Sequence, residues 1–338
     1  MDIVLFGFLV ATAFAILRLR DLFAAAMMSG LFSLLSAGLF MVMDAVDVAF
    51  TEAAVGAGVS TLLMLATLSI TRREEKRRRR EVRTVPLLLA LAAGGLLVLG
   101  TLDMPRFGDP DAPIHTHMAP RFLEDSIHEV GPPNIVTSVL ASYRGYDTFG
   151  EATVIFAAAV GVLLLLCSAP GRDPADEAAA TAAPADEPAS RNSILQVSTQ
   201  SLIPFILLFG LYVQFHGDYG PGGGFQAGVI FAAGVILFTL VYGMRAARRA
   251  LPMNVLEILI AGGVLLYGSV GVVSMLLGGR FLDYDVLAHD AKEGQHIGIL
   301  VIELGVGITV TAVMITLFFL FAGRGLRSPS RPDLEVLR

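Results

Sequence analysis

The stretch 202–237, LIPFILLFGLYVQFHGDYGPGGGFQAGVIFAAGVIL, holds two apolar runs joined by a glycine-rich turn, His216 to Phe225. A hydrocarbon layer about 30 Å thick is crossed by roughly 20 apolar residues rising about 1.5 Å each. The two runs therefore read as adjacent membrane-spanning helices. The same measure, carried outward, gives spans near 2–17, 22–43, 46–70, 85–102, 148–168, 194–215, 225–244, 252–277 and 294–322. The expected fold is all-α and polytopic, with about nine transmembrane helices. The stretch 132–142, PPNIVTSVLAS, is expected to form a short interfacial or re-entrant helix.

Composition agrees. The 338 residues are 55% hydrophobic, 16% charged and have a mean hydropathy of +0.70, whereas soluble domains carry roughly a quarter charged residues. Basic residues come in short runs between apolar stretches and the net charge is −6, which argues against a nucleic-acid partner. The single cysteine, Cys167, sits among leucines and excludes a disulfide within the chain or a Cys-based cluster. Met1 is followed by Asp2, not by a basic n-region, so the first apolar segment reads as a retained helix.

The basic run RREEKRRRREVR at 72–83 sets the orientation, because arginine and lysine accumulate on the cytoplasmic side. Alternating from it places 19 of the 24 Lys and Arg residues inside and only Arg106, Arg121, Arg144, Arg280 and Lys292 outside. The N-terminus is thus expected outside and the C-terminus in the cytoplasm. Residues 169–193, rich in alanine, proline and acids without periodicity, read as a flexible linker. They divide a five-helix block (1–168) from a four-helix block (194–323), with a cytoplasmic tail at 324–338, an arrangement that looks like a fusion of two subunits. The outer loop 103–131 carries His115, His117 and His128; the prolines around them fix no helical face, and solvated histidines are preferred to a metal site.

Ionisable residues inside the membrane are the best functional signal. A charge at a helix centre costs about 3 kcal/mol or more, so such groups face a bundle interior or a wet path. Glu52 lies roughly 9 Å inside its span, followed by Ala53, Ala54, Gly56, Ala57, Gly58 and Ser60. These small residues permit close helix approach, and the Gly-x-Gly permits departure from α geometry. Packing alone does not explain the carboxylate, so a functional role is favoured for Glu52. Glu303 lies roughly 13 Å deep, with His296 two turns earlier on the same face. This pair suits either stepwise proton transfer or two interhelical hydrogen bonds. Glu257, near Pro252 at the cytoplasmic end of its span, is read as an interfacial anchor. Glu151 stands at capping-box spacing from Thr148, with Asp147 a second cap candidate. The turn from His216 through Pro221, Gly222, Gly223 and Gly224 to Phe225 lacks the Gly-Lys-Ser/Thr of a phosphate loop. It is either a tight surface turn or a re-entry satisfied by protein or water. Without a Cys/His cofactor motif, GxSxG, Walker or dinucleotide fingerprint, the expectation is a non-enzyme that handles ions or scaffolds a membrane complex, with no cofactor and no metal site.

The stretch 202–237, marked by His216-Gly217 and then Pro221 to Gln226, closely resembles the B subunit of Mrp-type multisubunit Na+/H+ antiporters, as does GILVIELGVGITV at 298–310. DVAFTEAAVGAGVSTLL at 47–63 and YRGYDTFGEATVIFAAAVGV at 143–162 are similar to the C-terminal membrane region of the large A subunit. The first of these also resembles the bulged, gating third helix of a small complex I subunit. The resemblance implies a subunit of a hetero-oligomer in a prokaryotic cell membrane that exchanges cytoplasmic Na+ for external protons. Its partners would be the other Mrp subunits, including the large antiporter-like ones, and membrane lipid. The resemblance strengthens Glu52 and Glu151, and to a lesser degree Glu303, as residues of an ion or proton route; Thr51, next to Glu52, is a further candidate. In that family the large subunits bear the lysine–glutamate relay; with no lysine inside any span, this chain is not expected to transport alone. Two rivals stand beside this reading: a membrane-arm subunit of a hydrogenase or related respiratory complex, and a purely structural spacer.

Overall fold

The computed structural model describes residues 1–68, 71, 73–75, 84–106, 108–167 and 193–325. These residues form α1 (Asp2–Arg18), α2 (Leu22–Val42), α3 (Val46–Leu68), α4 (Thr84–Thr101), α5 (Gly145–Cys167), α6 (Ser193–His216), α7 (Gly224–Tyr242), the short α8 (Met244–Ala250), α9 (Met253–Leu276) and α10 (Ala291–Gly325). Eight of them are at least 18 residues long and apolar enough to cross a membrane. The remaining expected span is α1, which at 17 residues is about 25 Å long. The protein is an all-α, multi-pass membrane protein. Most of the expected linker, most of the basic run and the tail beyond 325 lie outside the described residues.

The helix α10 is the axis of the fold. At 35 residues it is about 50 Å long, and α3, α5, α6, α7 and α9 all pack against it. Its buried residues point in every direction: Ile299, Ile302, Val306, Thr309, Val310, Val313, Ile315 and Phe319. A helix apolar all round belongs in the middle of a bundle. Two close approaches make this possible. A Cβ at Gly228 of α7 would stand 2.8 Å from the Gly307 carbonyl oxygen, and one at Gly305 would stand 2.8 Å from that of Gly263 of α9. Small residues on opposite sides of α10 thus let two neighbours lie backbone to backbone against it. The hydroxyl of Thr311 donates to Gly228 at 3.1 Å across the first of these contacts.

Two sequence expectations change. The helix α5 begins at Gly145, three residues before Thr148, so Glu151 lies in its second turn and no capping box forms. Thr148 instead donates to the Leu140 carbonyl at 2.8 Å, and Asp147 accepts from Arg144 at 2.6 Å. The loop 103–131 contains short helical turns at Ile114–Met118, Arg121–Asp125 and Ser126–Glu129, although His115, His117 and His128 are exposed as expected. The helix α4 is exposed along its whole length.

Candidate functional site

The departure from α geometry allowed by the glycines of α3 occurs: Ala53–Ser60 form wide, π-type turns, and the Thr61 hydroxyl donates to the Gly56 carbonyl at 3.2 Å. Such bulges tend to mark functional sites. Just before the bulge, Asp47 and Thr51 stand one turn apart on one face of α3 and line a cavity of about 280 Å³. Glu303, Ile302 and Val306 of α10, Glu151 and Ala152 of α5, Tyr267 of α9, Thr137 and Leu140, and the segment Gly222–Gln226 complete its wall. Residues 135–143 do form the expected short helix beside it.

The glycine turn folds inward over this cavity and is held from both sides. The Asn134 side chain donates to the carbonyls of Gly217 (3.0 Å) and Gly220 (2.9 Å), and its backbone N–H donates to that of Asp218 (2.9 Å). The Thr137 hydroxyl donates to Gly217 at 2.7 Å. Opposite them, the Gly222 N–H donates to the Asp47 carboxylate at 3.2 Å. The turn is thus a re-entry satisfied by protein, as a polar backbone inside the bundle requires. Gly223 takes φ +111°, ψ −179°, and the N–H of this residue donates to Val213 at 3.1 Å. A Cβ there would stand 3.0 Å from Glu303 Oε1, and one at Gly217 would stand 3.2 Å from Oε2. The glycines therefore press directly on the Glu303 carboxylate. Gln226, buried at the start of α7, donates to Thr51 at 2.9 Å. The carboxylates of Asp47 and Asp218 lie near enough to Glu303 for like-charge repulsion.

Of the residues singled out from sequence, Thr51, Glu151, Glu303, Gly222, Gly223, Gly224 and Phe225 meet at this cavity. Glu52 does not. One residue beyond Thr51 it turns about 100° around the helix, and its Oε1 lies with Ser33 of α2 around Gly56. Glu257 is exposed on α9 and does not line the cavity. His216 stacks on Tyr212 at 4.9 Å, and Pro221 is exposed. His296 sits near the N-terminal end of α10, paired with Asp218 at 2.7 Å. Sequence reasoning missed Asp47, Asn134, Asp218 and Gln226. The signal for Asp47 was its i, i+4 spacing to Thr51; for Gln226 it was its place directly after the glycine motif. Among the described residues, no group of three or more His, Cys, Asp or Glu is placed to hold a metal ion.

Comparison with known proteins decides the family. A model described as a domain related to the MnhB subunit of Na+/H+ antiporter matches residues 194–316. A putative antiporter subunit mnhB2 of Staphylococcus aureus (strain Newman) is 33% identical over 136 residues, covering 39% of this chain and 96% of that one. The chain belongs to the MnhB family of antiporter subunits. The MnhB-type part is preceded by matches to models described as the D and E subunits of MBH, over residues 7–73 and 78–183 respectively. The A/B subunit of a probable K(+)/H(+) antiporter of Rhizobium meliloti (strain 1021) is 28% identical over 331 residues, 88% of this chain and 32% of that one. An MnhB-type subunit is thus joined here to a region like that of the antiporter A subunit. The fold is shared with a chain in the structure of the Mrp complex from Dietzia sp. DQ12-45-1b, with a TM-score of 0.71, 24% identity, and coverage of 98% of this chain and 35% of that one. This chain spans about a third of the length of the last two relatives.

Proposed function

We propose that this chain is a non-enzymatic subunit of a multisubunit cation/proton antiporter, and that the cavity beneath the glycine turn is a segment of its ion route. The observation that carries the reading is the gathering of Asp47, Thr51, Gln226 and Glu303 around one cavity under a re-entrant backbone. An uncompensated carboxylate at membrane depth is costly, and its usual justification is a moving ion. Glu303 and Asp47 would alternately carry a proton and a hard cation such as Na+ or K+. Hydroxyl, amide and backbone oxygens around them suit a hard cation. Glu151 would extend the route along α5, and Glu52, on the other side of the bulge, would hold α2.

The likeness to antiporter subunits supports a prokaryotic cell membrane, and the positive-inside count supports an N-terminus outside, which puts the glycine turn at the outer face. The blocks 1–168 and 194–323, the linker between them and the tail at 324–338 are proposed as the chain's domains. Large antiporter-like subunits are the proposed partners, with the exposed α4 among the surfaces available to them or to lipid.

The test is Glu303→Gln and Asp47→Asn in the whole complex, assayed as cation-dependent proton movement in membrane vesicles. Glu303→Gln is expected to abolish antiport while the complex still assembles. Wild-type rates in both variants would leave the chain a structural spacer. Nickel–iron or iron–sulfur subunits co-purifying with the complex would favour a redox-linked relative.

A further inference from the structure

The turn Gly217–Gly223 separates two cavities. On its inner side lie Asp47 and Glu303; on its outer side is a second cavity of about 490 Å³, with Asp218, Tyr219, Lys292, Glu293 and His296 in its wall. The backbone of the turn is held by Asn134, Thr137 and Asp47. Among the described residues, its one ionic tie to α10 is Asp218 to His296, 2.7 Å from Oδ2 to Nδ1. The two partners differ in access: the Asp218 carboxylate is buried, while more than half of the His296 side chain is open. The residue preceding Asp218, Gly217, lies against Glu303, as Gly223 does at the other end of the turn. The exposed imidazole is thus linked to the carboxylate in the inner cavity through one ion pair, one peptide bond and one close approach.

We propose that the His296–Asp218 pair is a proton-responsive latch: the imidazolium holds the glycine turn down on Glu303, and its loss of a proton to external water frees the turn and opens the inner cavity to the outer one. The inference rests on the reading of the inner cavity as an ion route and assigns that route its outer gate. The groups around the pair leave the imidazole as its switch. Lys292 and Glu293, on its own helix, are of opposite sign. The facing segment Val130–Pro133 carries no ionisable side chain. Tyr219 is exposed, and Asp47 and Glu303 lie beyond Asp218 on the inner side. Burial pushes the Asp218 carboxyl up from its ordinary range, and His296 pulls it back. Without its partner, an ionised Asp218 is better placed in water, and reaching water means moving the turn. Histidine is the side chain whose ordinary titration falls between about pH 5 and 8. The latch therefore closes toward acid and opens as external pH rises.

The experiment uses the whole complex in right-side-out vesicles, with internal pH fixed, external pH varied from about 5.5 to 8.5, and each variant compared with wild type under the same gradients. Wild-type antiport, corrected for driving force, is expected to show an inflection within the tested range. His296→Ala and Asp218→Asn should erase it. His296→Lys keeps a positive charge to about pH 10 and should move the inflection above the tested range. Glu303→Gln should be inactive at every pH. A wild-type inflection in His296→Ala, Asp218→Asn or His296→Lys, with Glu303→Gln inactive, overturns the latch and leaves the ion route standing. Full antiport in Glu303→Gln overturns the route itself. Should the alanine and asparagine variants fail to assemble, His296→Lys decides alone, since it preserves size and charge.

Discussion

Replacing Gly223 by alanine tests the geometry most directly. Its φ of +111° with ψ −179° belongs to a region that is essentially glycine's own, and a side chain there costs about 1–3 kcal/mol. The added methyl carbon also arrives 3.0 Å from Glu303 Oε1, so either the turn or the carboxylate must give way. The turn is held by separate hydrogen bonds from Asn134, Thr137 and Asp47, and relieving the methyl group weakens several of them together. With 1–3 kcal/mol corresponding to about a 5- to 150-fold shift in population, antiport in vesicles is expected to fall by one to two orders of magnitude. Assembly, followed by native gel and by copurification of partner subunits, should persist, because the buried core of α7 and α10 lies deeper than the turn. Gly262→Ala is the control: an added Cβ there meets nothing within 4 Å, and no loss is expected. Wild-type antiport in an assembled Gly223→Ala complex would show that the turn does not set the ion site.

Other consequences can be measured in the same preparations. Glu52→Gln should reduce antiport far less than Glu303→Gln, since Glu52 faces Ser33 and Gly56 instead of the cavity; equal loss would return it to the route. Gln226→Leu and Thr51→Val remove the two ends of one 2.9 Å hydrogen bond, and a double-mutant cycle on thermal stability should give a coupling of about 0.5–1.5 kcal/mol. In the segment before α5, Tyr143 and Arg121 both donate to Glu129 and hold its carboxyl below the ordinary range, while burial and Glu129 push the Tyr143 hydroxyl up to about 12. A depressed carboxyl contributes stability that is present above its unfolded value and lost as pH falls through the folded one. Hydrogen-exchange protection of residues 121–130 should therefore drop selectively in acid, and Glu129→Gln should abolish that dependence.

The helices were legible because hydrophobic length is a one-dimensional property: each expected span coincides with a helix whose ends are displaced by three residues or fewer, and eight of these are long and apolar enough to cross a membrane. The bulge in α3 was legible for a related reason, since Gly56 and Gly58 announce it locally. The site was only half legible. Depth below the membrane surface can be counted from a helix end, and it singled out Glu303, which lines the cavity. Azimuth cannot be counted in the same way, because it depends on which neighbour packs where. Glu52 and Thr51 are adjacent in sequence, yet one faces α2 and the other the cavity. Asp47 was passed over because it lies at a helix start, where an acid has the bland explanation of favouring the N-terminal dipole. Its partner, the Gly222 amide, is 175 residues away and leaves no trace in local pattern. The capping reading of Glu151 failed for the converse reason. A local motif was present, but Tyr267 and Tyr284, donating to the carbonyls of Gly145 and Ala141, define the start of α5 through tertiary contacts.

The distribution of these contacts between the two halves of the chain bears on why they are joined. Asp47, Thr51, Asn134 and Thr137 come from the N-terminal half; the glycine turn, Gln226 and Glu303 come from the C-terminal half. Neither half alone encloses the cavity. The C-terminal half would carry a glycine turn with unheld carbonyls at Gly217, Asp218 and Gly220, and the N-terminal half an Asp47 without its Gly222 donor. Each unmet buried polar group costs about 1–3 kcal/mol, so the halves favour association through the very groups that build the site. Joining them in one chain makes that association intramolecular and ties the formation of the cavity to the folding of a single polypeptide. Expressed as two separate chains cut within 169–193, the halves should still assemble and transport, because the determinants lie in the interface. Asn134→Ala should be tolerated far better in the joined chain than in the split one, where no tether compensates for the lost hydrogen bonds. Equal sensitivity in the two formats would mean that the interface is held elsewhere.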